Sequence, residues 1–235
     1  MNLLLLLPED FVAEGRARLT GRRLQHVREV HRAGPGDELK VGLLGGSMGR
    51  GRVLGLDEEA LELEVELGEP PPPKLPLNLL LALPRPKVLN RVLASAASLG
   101  VARIVLVNAW RVEKAYWKSP RLDPENTRAQ FVLGLEQARD TVLPELRLAR
   151  LFRPFAEEEL DGWAGEGLRL LAHPGAGEPG PRAVEGPCTL AIGPEGGWIG
   201  AELDSLVRAG FRTVDLGPRI LRVETALAAL VGRLY

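Results

Sequence analysis

The chain has 235 residues, which is enough for one large domain or two small ones that each bury a hydrophobic core. Hydrophobic residues make up 45% of it and charged residues 26%, as in a globular protein, and the net charge of −1 gives the whole chain no basic excess for nucleic acid. The single cysteine, Cys188, excludes an internal disulfide, offers no metal-ligand spacing and predicts a small core residue in a reducing cytoplasm.

The N-terminal part of the sequence predicts a small β-barrel over residues 1–69. Five leucines, from Leu3 to Leu7, are too few to span a bilayer, so we expect a buried first strand and no membrane partner. Short strand-like runs and Gly-Asp turns follow. Basic residues are concentrated between positions 16 and 52, which predicts a patch that contacts nucleic-acid phosphates; a solvated, salt-bridged surface is the alternative.

A proline-rich stretch over residues 70–76 predicts an extended linker. After it, apolar strand-like runs alternate with helical segments, which predicts an α/β domain with a mostly parallel sheet over residues 77–235. The strands are expected at residues 77–83, 104–107, 168–172, 190–192 and 213–216.

Three aromatic residues, Trp110, Tyr116 and Trp117, are interleaved with basic residues in a predicted loop. This mixture is typical of a platform on which bases stack and phosphates bind. The alternative is that the tryptophans cap a core or a subunit interface. The sequence favours neither interpretation.

The segment TLAIGPEGGW, residues 189–198, predicts a ligand-binding loop between a strand and a helix. Gly193, Gly196 and Gly197 lack a Cβ, which lets backbone N–H groups approach a ligand closely. The helix expected after this loop is amphipathic, with apolar residues at Leu203, Leu206 and Val207, and it is followed by a glycine at position 210.

The segment LGPRILRVETA, residues 216–226, repeats this pattern with more charge. Arg219 and Arg222 precede Glu224 at the start of the last predicted helix. This arrangement suits an anionic ligand, because the guanidinium groups and the positive end of the helix dipole both attract it. The alternative is an ion pair among these three residues. Together the two segments predict a nucleotide-like ligand held between two loops.

The pair IGPEGGW and LGPRILRVETA resembles the two C-terminal signature loops of the RsmE family, the ribosomal RNA uracil-N3 methyltransferases of the SPOUT superfamily. Weaker similarity extends through residues 24–37 and 83–101. The resemblance implies a SPOUT-type α/β domain with a deep trefoil knot near the C-terminus and a PUA/OB-like β-barrel before it. It also implies a homodimer that acts on ribosomal RNA of the small subunit, with no metal.

The cofactor that the resemblance implies is S-adenosyl-L-methionine, bent among the knot loops and a third loop at residues 173–175. The cofactor-binding residues are then expected to be Leu171, Ala172, His173, Ile192, Gly193, Pro194, Glu195, Gly196, Gly197, Leu216, Gly217, Ile220, Leu221 and Thr225. The expected catalytic residues are Arg219, Arg222 and Glu224, and the expected RNA-binding residues are Arg22, Arg23, His26, Arg32 and Arg111.

Methylation of uracil N3 requires the imide proton to leave, so we expect a general base or a cation that stabilises the resulting anion. Arg219 and Arg222 are the predicted stabilisers. Glu195 and Glu224 are the candidates for the base, although the favoured role of Glu224 is to orient an arginine.

Two alternative functions remain open from the sequence. One is a knotted methyltransferase that modifies a ribose 2′-hydroxyl; only the LGPRILRVETA loop favours N3 over this acceptor. The other is a non-enzymatic RNA-binding or ribosome-assembly protein. Ser95, Ser98 and Asp140 favour it, since the family usually carries Lys, Glu and Arg there, but the intact glycine loops argue against it.

Overall fold

The computed structural model describes residues 2–235, which divide into two compact units. The first unit comprises residues 2–73 and Val132–Leu143. The second comprises Lys74–Phe131 and Pro144–Tyr235.

The first unit contains one six-stranded sheet. Its strands are β1 (Leu4–Leu6), β2 (Phe11–Ala13), β3 (Arg16–Leu19), β4 (Glu38–Leu43), β5 (Met48–Leu56) and β6 (Leu61–Glu69). They lie in the order β1-β4-β5-β6-β3-β2, in which β1 pairs parallel with β4 and all other neighbours pair antiparallel. The remaining elements are helix α1 (Gly21–His26), a π-helical turn (Val27–His31) and a 3-10 turn (Pro8–Asp10).

Strand β6 shows how the sequence produces the core of this unit. Leu61, Leu63 and Val65 are buried, whereas Glu62 and Glu66 are exposed, because successive side chains of a strand point to opposite faces of the sheet. Strand β1 is buried along its whole length, so the expectation of a buried first strand in the leucine run is confirmed.

The second unit is a parallel α/β structure. Its strands are β7 (Leu75–Ala82), β8 (Val101–Val107), β9 (Glu145–Ala149), β10 (Leu168–Ala172), β11 (Cys188–Ile192) and β12 (Arg212–Val214). They form a sheet in the order β12-β10-β11-β7-β8-β9, and every pair of neighbours is parallel. The predicted α/β fold with a parallel sheet is therefore confirmed, and Cys188 is a buried core residue as expected.

Helices lie between and after these strands in the sequence. They are α2 (Pro86–Ser98), α3 (Pro124–Ala138, whose residues from Val132 onward belong to the first unit), α4 (Phe152–Pro154), α5 (Leu160–Ala164), α6 (Gly200–Arg208) and α7 (Val223–Leu234). Two 3-10 turns lie at Lys114–Lys118 and Pro120–Leu122, and a π-helical turn lies at Phe155–Glu159. Leu89, Val92 and Leu93 of α2 are buried together because residues three and four apart share one face of a helix, and this helix packs against α7.

The order of connections creates a change of direction in the middle of the sheet. From β7 the chain proceeds to β8 and β9 on one side, and then crosses to β10, β11 and β12 on the other side. Loops at the carboxyl ends of parallel strands diverge at such a point, which leaves a crevice where ligands bind.

Two details differ from the expectations. Strand β7 begins at Leu75, inside the stretch expected as a linker, and it contains Pro76 at the place where the register with β8 shifts. A proline lacks the N–H that a regular ladder needs, so it is tolerated at this irregularity. In α6, the expectation that Val207 lies on the apolar face was wrong: Val207 is 51% exposed, while Glu202 is buried.

Candidate active site

A pocket of about 900 Å³ lies in the second unit, at the carboxyl ends of the parallel strands. Ala172, Ile192 and Val214 line it, and each is the last residue of its strand. Both loops singled out in the sequence therefore meet at one cavity, at the position where open parallel sheets bind their ligands.

The first loop, residues 193–198, is called the glycine loop below. A Cβ on Gly193 would lie 3.0 Å from two atoms of the Trp198 indole, which is buried. A Cβ on Gly196 would lie 3.0 Å from Cδ of Arg111, whose guanidinium donates a hydrogen bond to the Gly196 carbonyl. Gly197 has a φ of +74°, which favours glycine. A side chain at position 193 or 196 would thus crowd a neighbouring side chain, which would have to shift by a few tenths of an ångström.

Two carboxylates hold the ends of the glycine loop region in place. Glu195 Oε1 accepts a hydrogen bond from the backbone N–H of Arg85, at 3.1 Å. Glu202, which is 5% exposed, accepts hydrogen bonds from the backbone N–H groups of Trp110 at 2.7 Å and of Ile199 at 3.0 Å. A buried carboxylate needs such donors, since burial without them is costly. Glu202 is buried for this reason.

The second loop, residues 217–222, is called the arginine loop below. Its base is fixed, because Asp215 Oδ1 accepts a hydrogen bond from the Gly217 N–H at 3.1 Å. Beyond this point Arg219 and Arg222 are exposed, and the guanidinium group of neither has a hydrogen bond or ion pair with any other residue of the described chain. Two guanidinium groups are therefore available to a ligand.

Glu224 does not pair with either arginine of this loop. It forms an ion pair with Arg91 of α2, at 3.0 Å, so the ion pair among Arg219, Arg222 and Glu224 considered as an alternative does not form. The Arg91 side chain is 60% exposed and that of Glu224 is 19% exposed. An ion pair in such a setting contributes roughly 0–1 kcal/mol.

Two buried ring nitrogens beside the pocket lack a hydrogen-bond partner among residues 2–235, namely His173 Nδ1 and Trp198 Nε1. Buried polar atoms are normally paired, so unpaired ones indicate a place for a ligand or a water molecule. Tyr116 also lines the pocket. Its pKa is raised above the ordinary value, first by burial and then by the hydrogen bond that its hydroxyl donates to Glu113.

Most of the expected cofactor-binding residues line this pocket, as do the three expected catalytic residues. Leu171, Gly196 and Thr225 do not: Leu171 is fully buried within β10, Gly196 faces Arg111, and Thr225 is exposed on α7. The residues that line the pocket as expected are Ala172, His173, Ile192, Gly193, Pro194, Glu195, Gly197, Leu216, Gly217, Ile220 and Leu221.

Sequence reasoning missed three cations of the pocket: Arg85, Lys87 and Arg91 line it from the start of α2. A signal for them was present. The segment PRPK, residues 84–87, follows directly after the strand expected at residues 77–83, and residues just beyond parallel strands often belong to the ligand site.

Two of the expected RNA-binding arginines of the first unit are engaged within that unit. Arg23 makes two hydrogen bonds to Asp10, at 2.5 and 2.7 Å, and a third to the carbonyl of Leu5. Arg22 makes two hydrogen bonds to Glu136, at 2.9 and 3.0 Å, and burial raises the pKa of Glu136 even though this arginine opposes the shift. These bonds give Arg23, which is mostly buried, a structural role, while Arg22 keeps half its surface in solvent.

The other two expected residues of the first unit differ in their exposure. His26 Nε2 is buried without a partner among the described atoms, and burial lowers the pKa of His26. Its ring lies 5.2 Å from that of His31, edge to face. Arg32 is exposed and ends the π-helical turn in a left-handed conformation, at φ 53°.

Within the described part of the chain, no group of three potential metal ligands occurs, and no helix is long and apolar enough to cross a membrane.

Comparison with known proteins shows the family to which this chain belongs. Residues 71–235 match the family model of the RNA methyltransferase domain. The chain is 33% identical over 236 residues to ribosomal RNA small subunit methyltransferase E of Treponema pallidum (strain Nichols), covering 97% of this chain and 88% of that one. It is 28% identical to the protein of the same name from Synechocystis, over 95% of this chain and 73% of that one.

A solved structure is also similar. Ribosomal RNA small subunit methyltransferase E from Neisseria gonorrhoeae, bound to S-adenosyl methionine, matches with a TM-score of 0.73 at 21% identity, over 97% of this chain and 95% of that one. This likeness confirms the mixed α/β fold. The chain belongs to the RNA methyltransferase family and, within it, to the ribosomal RNA small subunit methyltransferases E, as the two loops predicted.

Proposed function

We propose that this protein transfers a methyl group from S-adenosylmethionine to N3 of a uridine in the ribosomal RNA of the small subunit, as a cytoplasmic homodimer. The observation that carries the proposal is that Arg219 and Arg222, whose guanidinium groups have no partner within the described chain, line the same pocket as the glycine loop. The names of the relatives supply the substrate class, and that of the Neisseria protein supplies the cofactor.

The pocket fits S-adenosylmethionine on three grounds. Its volume of about 900 Å³ is in the range that holds a cofactor. His173 Nδ1 and Trp198 Nε1 are buried beside it without partners, so polar contacts remain to be made. The glycine loop and Leu216, Leu221 and Leu230 offer backbone and apolar surface to the adenosine and methionine parts.

The protein's own contribution to the reaction is positioning and electrostatics. When bound, S-adenosylmethionine would supply an electrophilic methyl group on its sulfonium sulfur. In an in-line displacement this methyl group passes to the acceptor, and the sulfur would depart as a neutral thioether. The fixed glycine loop aligns donor and acceptor and excludes water. Arg219 and Arg222 stabilise the negative charge that develops on the uracil imide as its N3 proton passes to a base, for which Glu195 in the pocket lining is the candidate. Removal of one such donor typically costs about a hundred-fold to a thousand-fold in rate.

The test is methyl transfer to small-subunit ribosomal RNA followed by location of the methyl group. Methylation at N3 blocks the Watson–Crick edge, so reverse transcription is expected to stop one nucleotide before the modified uridine. A 2′-O-methylated product would instead be read through and would resist alkaline cleavage at that nucleotide. No transfer at all by the folded protein would favour the non-enzymatic alternative.

A trefoil knot is part of the proposal. Backbone contacts between the β10–β11 connection and the C-terminal segment support it. The Asp215 N–H donates to the Glu178 carbonyl at 2.8 Å, and the Val184 N–H donates to the Leu234 carbonyl at 2.7 Å. The connection therefore contacts the chain both before and after the arginine loop, as a loop through which the C-terminus has passed would do. An experimental structure tests the knot. A backbone path that would become a straight line when both chain ends are drawn apart would contradict it.

The first compact unit extends to residue 73 and includes Val132–Leu143. Within it, residues 1–69 are proposed to form a PUA/OB-like barrel that binds RNA, joined by residues 70–76 to a methyltransferase domain over residues 77–235. Exposed arginines on its surface, including Arg16, Arg18 and Arg32, support RNA binding. Replacing these three with alanine is expected to reduce RNA affinity and its salt dependence while S-adenosylmethionine binding stays unchanged. Sedimentation of the unmodified protein tests the dimer.

A further inference from the structure

One tryptophan stands out by its exposure. Trp110 is 79% exposed, although Trp163 and Trp198 are buried and Trp117 is half-buried. An indole left in water forgoes the large apolar burial that this side chain normally supplies. Because ligands bind at the carboxyl end of a parallel sheet, an exposed indole at this end indicates a role in binding.

The exposed position of Trp110 is fixed by the structure around it. Its backbone N–H donates to the buried carboxylate of Glu202, at 2.7 Å. The neighbouring Val112 is buried and donates its N–H to the carbonyl of Ala109 at 3.0 Å. The backbone on both sides of Trp110 is thus anchored while the indole faces solvent.

The residue next to Trp110 contacts the glycine loop directly. Arg111 packs against Gly196 and donates a hydrogen bond to its carbonyl. Glu202, which holds Trp110, also holds Ile199 directly after the glycine loop. Trp110 is therefore connected through two contacts to the loop that lines the pocket.

The surroundings of Trp110 are basic. Residues 108–122 contain four basic residues and one acidic residue: Arg111, Lys114, Lys118 and Arg121 against Glu113. Lys114, Lys118 and Arg121 are all exposed. A polyanion is the partner that this charge favours.

The other tryptophan of this segment, Trp117, already has partners within the protein. Trp117 Nε1 donates to Asn108 Oδ1 at 2.8 Å, and the Arg150 guanidinium lies 5.4 Å from the ring centroid. The structure therefore separates two residues that are equivalent in the sequence pattern: Trp117 packs within the protein, and Trp110 remains open.

We propose that Trp110 stacks on an unpaired base of the RNA substrate, next to the nucleotide that enters the pocket. The inference rests on the proposed function. Single-stranded RNA is recognised by stacking of splayed bases on aromatic side chains, with basic groups on the adjacent phosphates. Trp110 and the exposed cations of residues 108–122 supply these two parts.

The test compares RNA binding by the parent 235-residue protein with RNA binding by variants in which Trp110 is replaced by Ala, Leu or Phe. A single-stranded RNA oligonucleotide of small-subunit sequence is titrated, and fluorescence anisotropy is measured at several salt concentrations. W110A is expected to bind about five-fold to a hundred-fold more weakly, with an unchanged salt slope, because stacking releases no counterions. W110F should restore most of the affinity, whereas W110L should not. Leu151→Ala is the matched control, since Leu151 is also exposed, at 65%.

Three outcomes would overturn the inference: W110A binding RNA as tightly as the parent protein, W110L restoring affinity as fully as W110F, or W110A changing the oligomeric state in sedimentation. The last outcome would assign Trp110 to a protein interface. Failure of the proposed function is distinguishable, because the parent protein would then bind no S-adenosylmethionine or transfer no methyl group. In that case RNA binding by the Trp110 variants can still be compared.

Discussion

The glycine loop and the arginine loop line one pocket but are held very differently. Around the glycine loop, Arg111, Trp198 and the carboxylates of Glu195 and Glu202 make specific contacts. The arginine loop is fixed at its base by Asp215, and its cations lack protein partners within residues 2–235.

This difference indicates a division of labour. Residues that hold a cofactor in a defined conformation benefit from a rigid frame, because preorganisation reduces the entropy lost on binding. Cations that stabilise a developing charge must keep their hydrogen-bonding capacity for the substrate, and an internal ion pair would consume it. The glycine loop has the first character and the arginine loop the second.

The largest expected effect is on the rate of methyl transfer, and it follows from removing a cation of the arginine loop. Arg222→Ala is expected to lower the rate of methyl transfer about a hundred-fold to a thousand-fold, while the affinity for S-adenosylmethionine remains nearly unchanged. Single-turnover kinetics and calorimetric titration measure the two quantities. Arg212→Ala is the control, since Arg212 is an exposed arginine at the amino end of β12, away from the pocket. A loss of cofactor affinity equal to the loss of rate would contradict the assignment.

In the glycine loop, the addition of a single methyl group is expected to disturb the packing. Gly193→Ala places a Cβ 3.0 Å from the buried Trp198 indole, so we expect the free energy of unfolding to fall by about 1–3 kcal/mol and cofactor affinity to fall with it. Urea denaturation and calorimetric titration check this. Gly200→Ala is the matched control, because a Cβ there meets nothing within 4 Å and alanine suits the helix. Equal behaviour of the two variants would show that the loop is not tightly packed.

The sequence predicted the local parts of this comparison but not their partners. Strand periodicity and the two glycine-containing segments are short-range signals, and they located both loops and the parallel sheet. The contact of Arg91 with Glu224 joins residues 133 positions apart, and it depends on α2 and α7 packing together. Likewise, Glu202 looks like a solvent-facing helix residue until its acceptor role for Trp110 is known. Such partners are set by tertiary packing, which a periodic pattern does not encode.

A smaller effect is expected from weakening the frame of the glycine loop. Glu202→Gln keeps the shape but removes one of the two acceptor oxygens, so we expect a loss of roughly 1–2 kcal/mol in the free energy of unfolding. Hydrogen exchange should show faster exchange at the amides of Trp110 and Ile199. Asp204→Asn, an exposed acid on the same helix, should change neither quantity. Unchanged exchange in Glu202→Gln would mean that the carboxylate does not hold these two amides.

The smallest effect concerns the ion pair that follows the arginine loop. A double-mutant cycle of Arg91→Ala and Glu224→Ala is expected to give a coupling energy of about 0.5 kcal/mol in urea denaturation, because Arg91 is largely exposed. The coupling should weaken further as salt rises, since solvent ions screen exposed charges. A coupling above about 2 kcal/mol would exceed what exposed pairs provide. The Arg91–Glu224 ion pair would then anchor the chain strongly just after Arg222. In that case the arginine loop would be held as firmly as the glycine loop, and the contrast between the two loops would be lost.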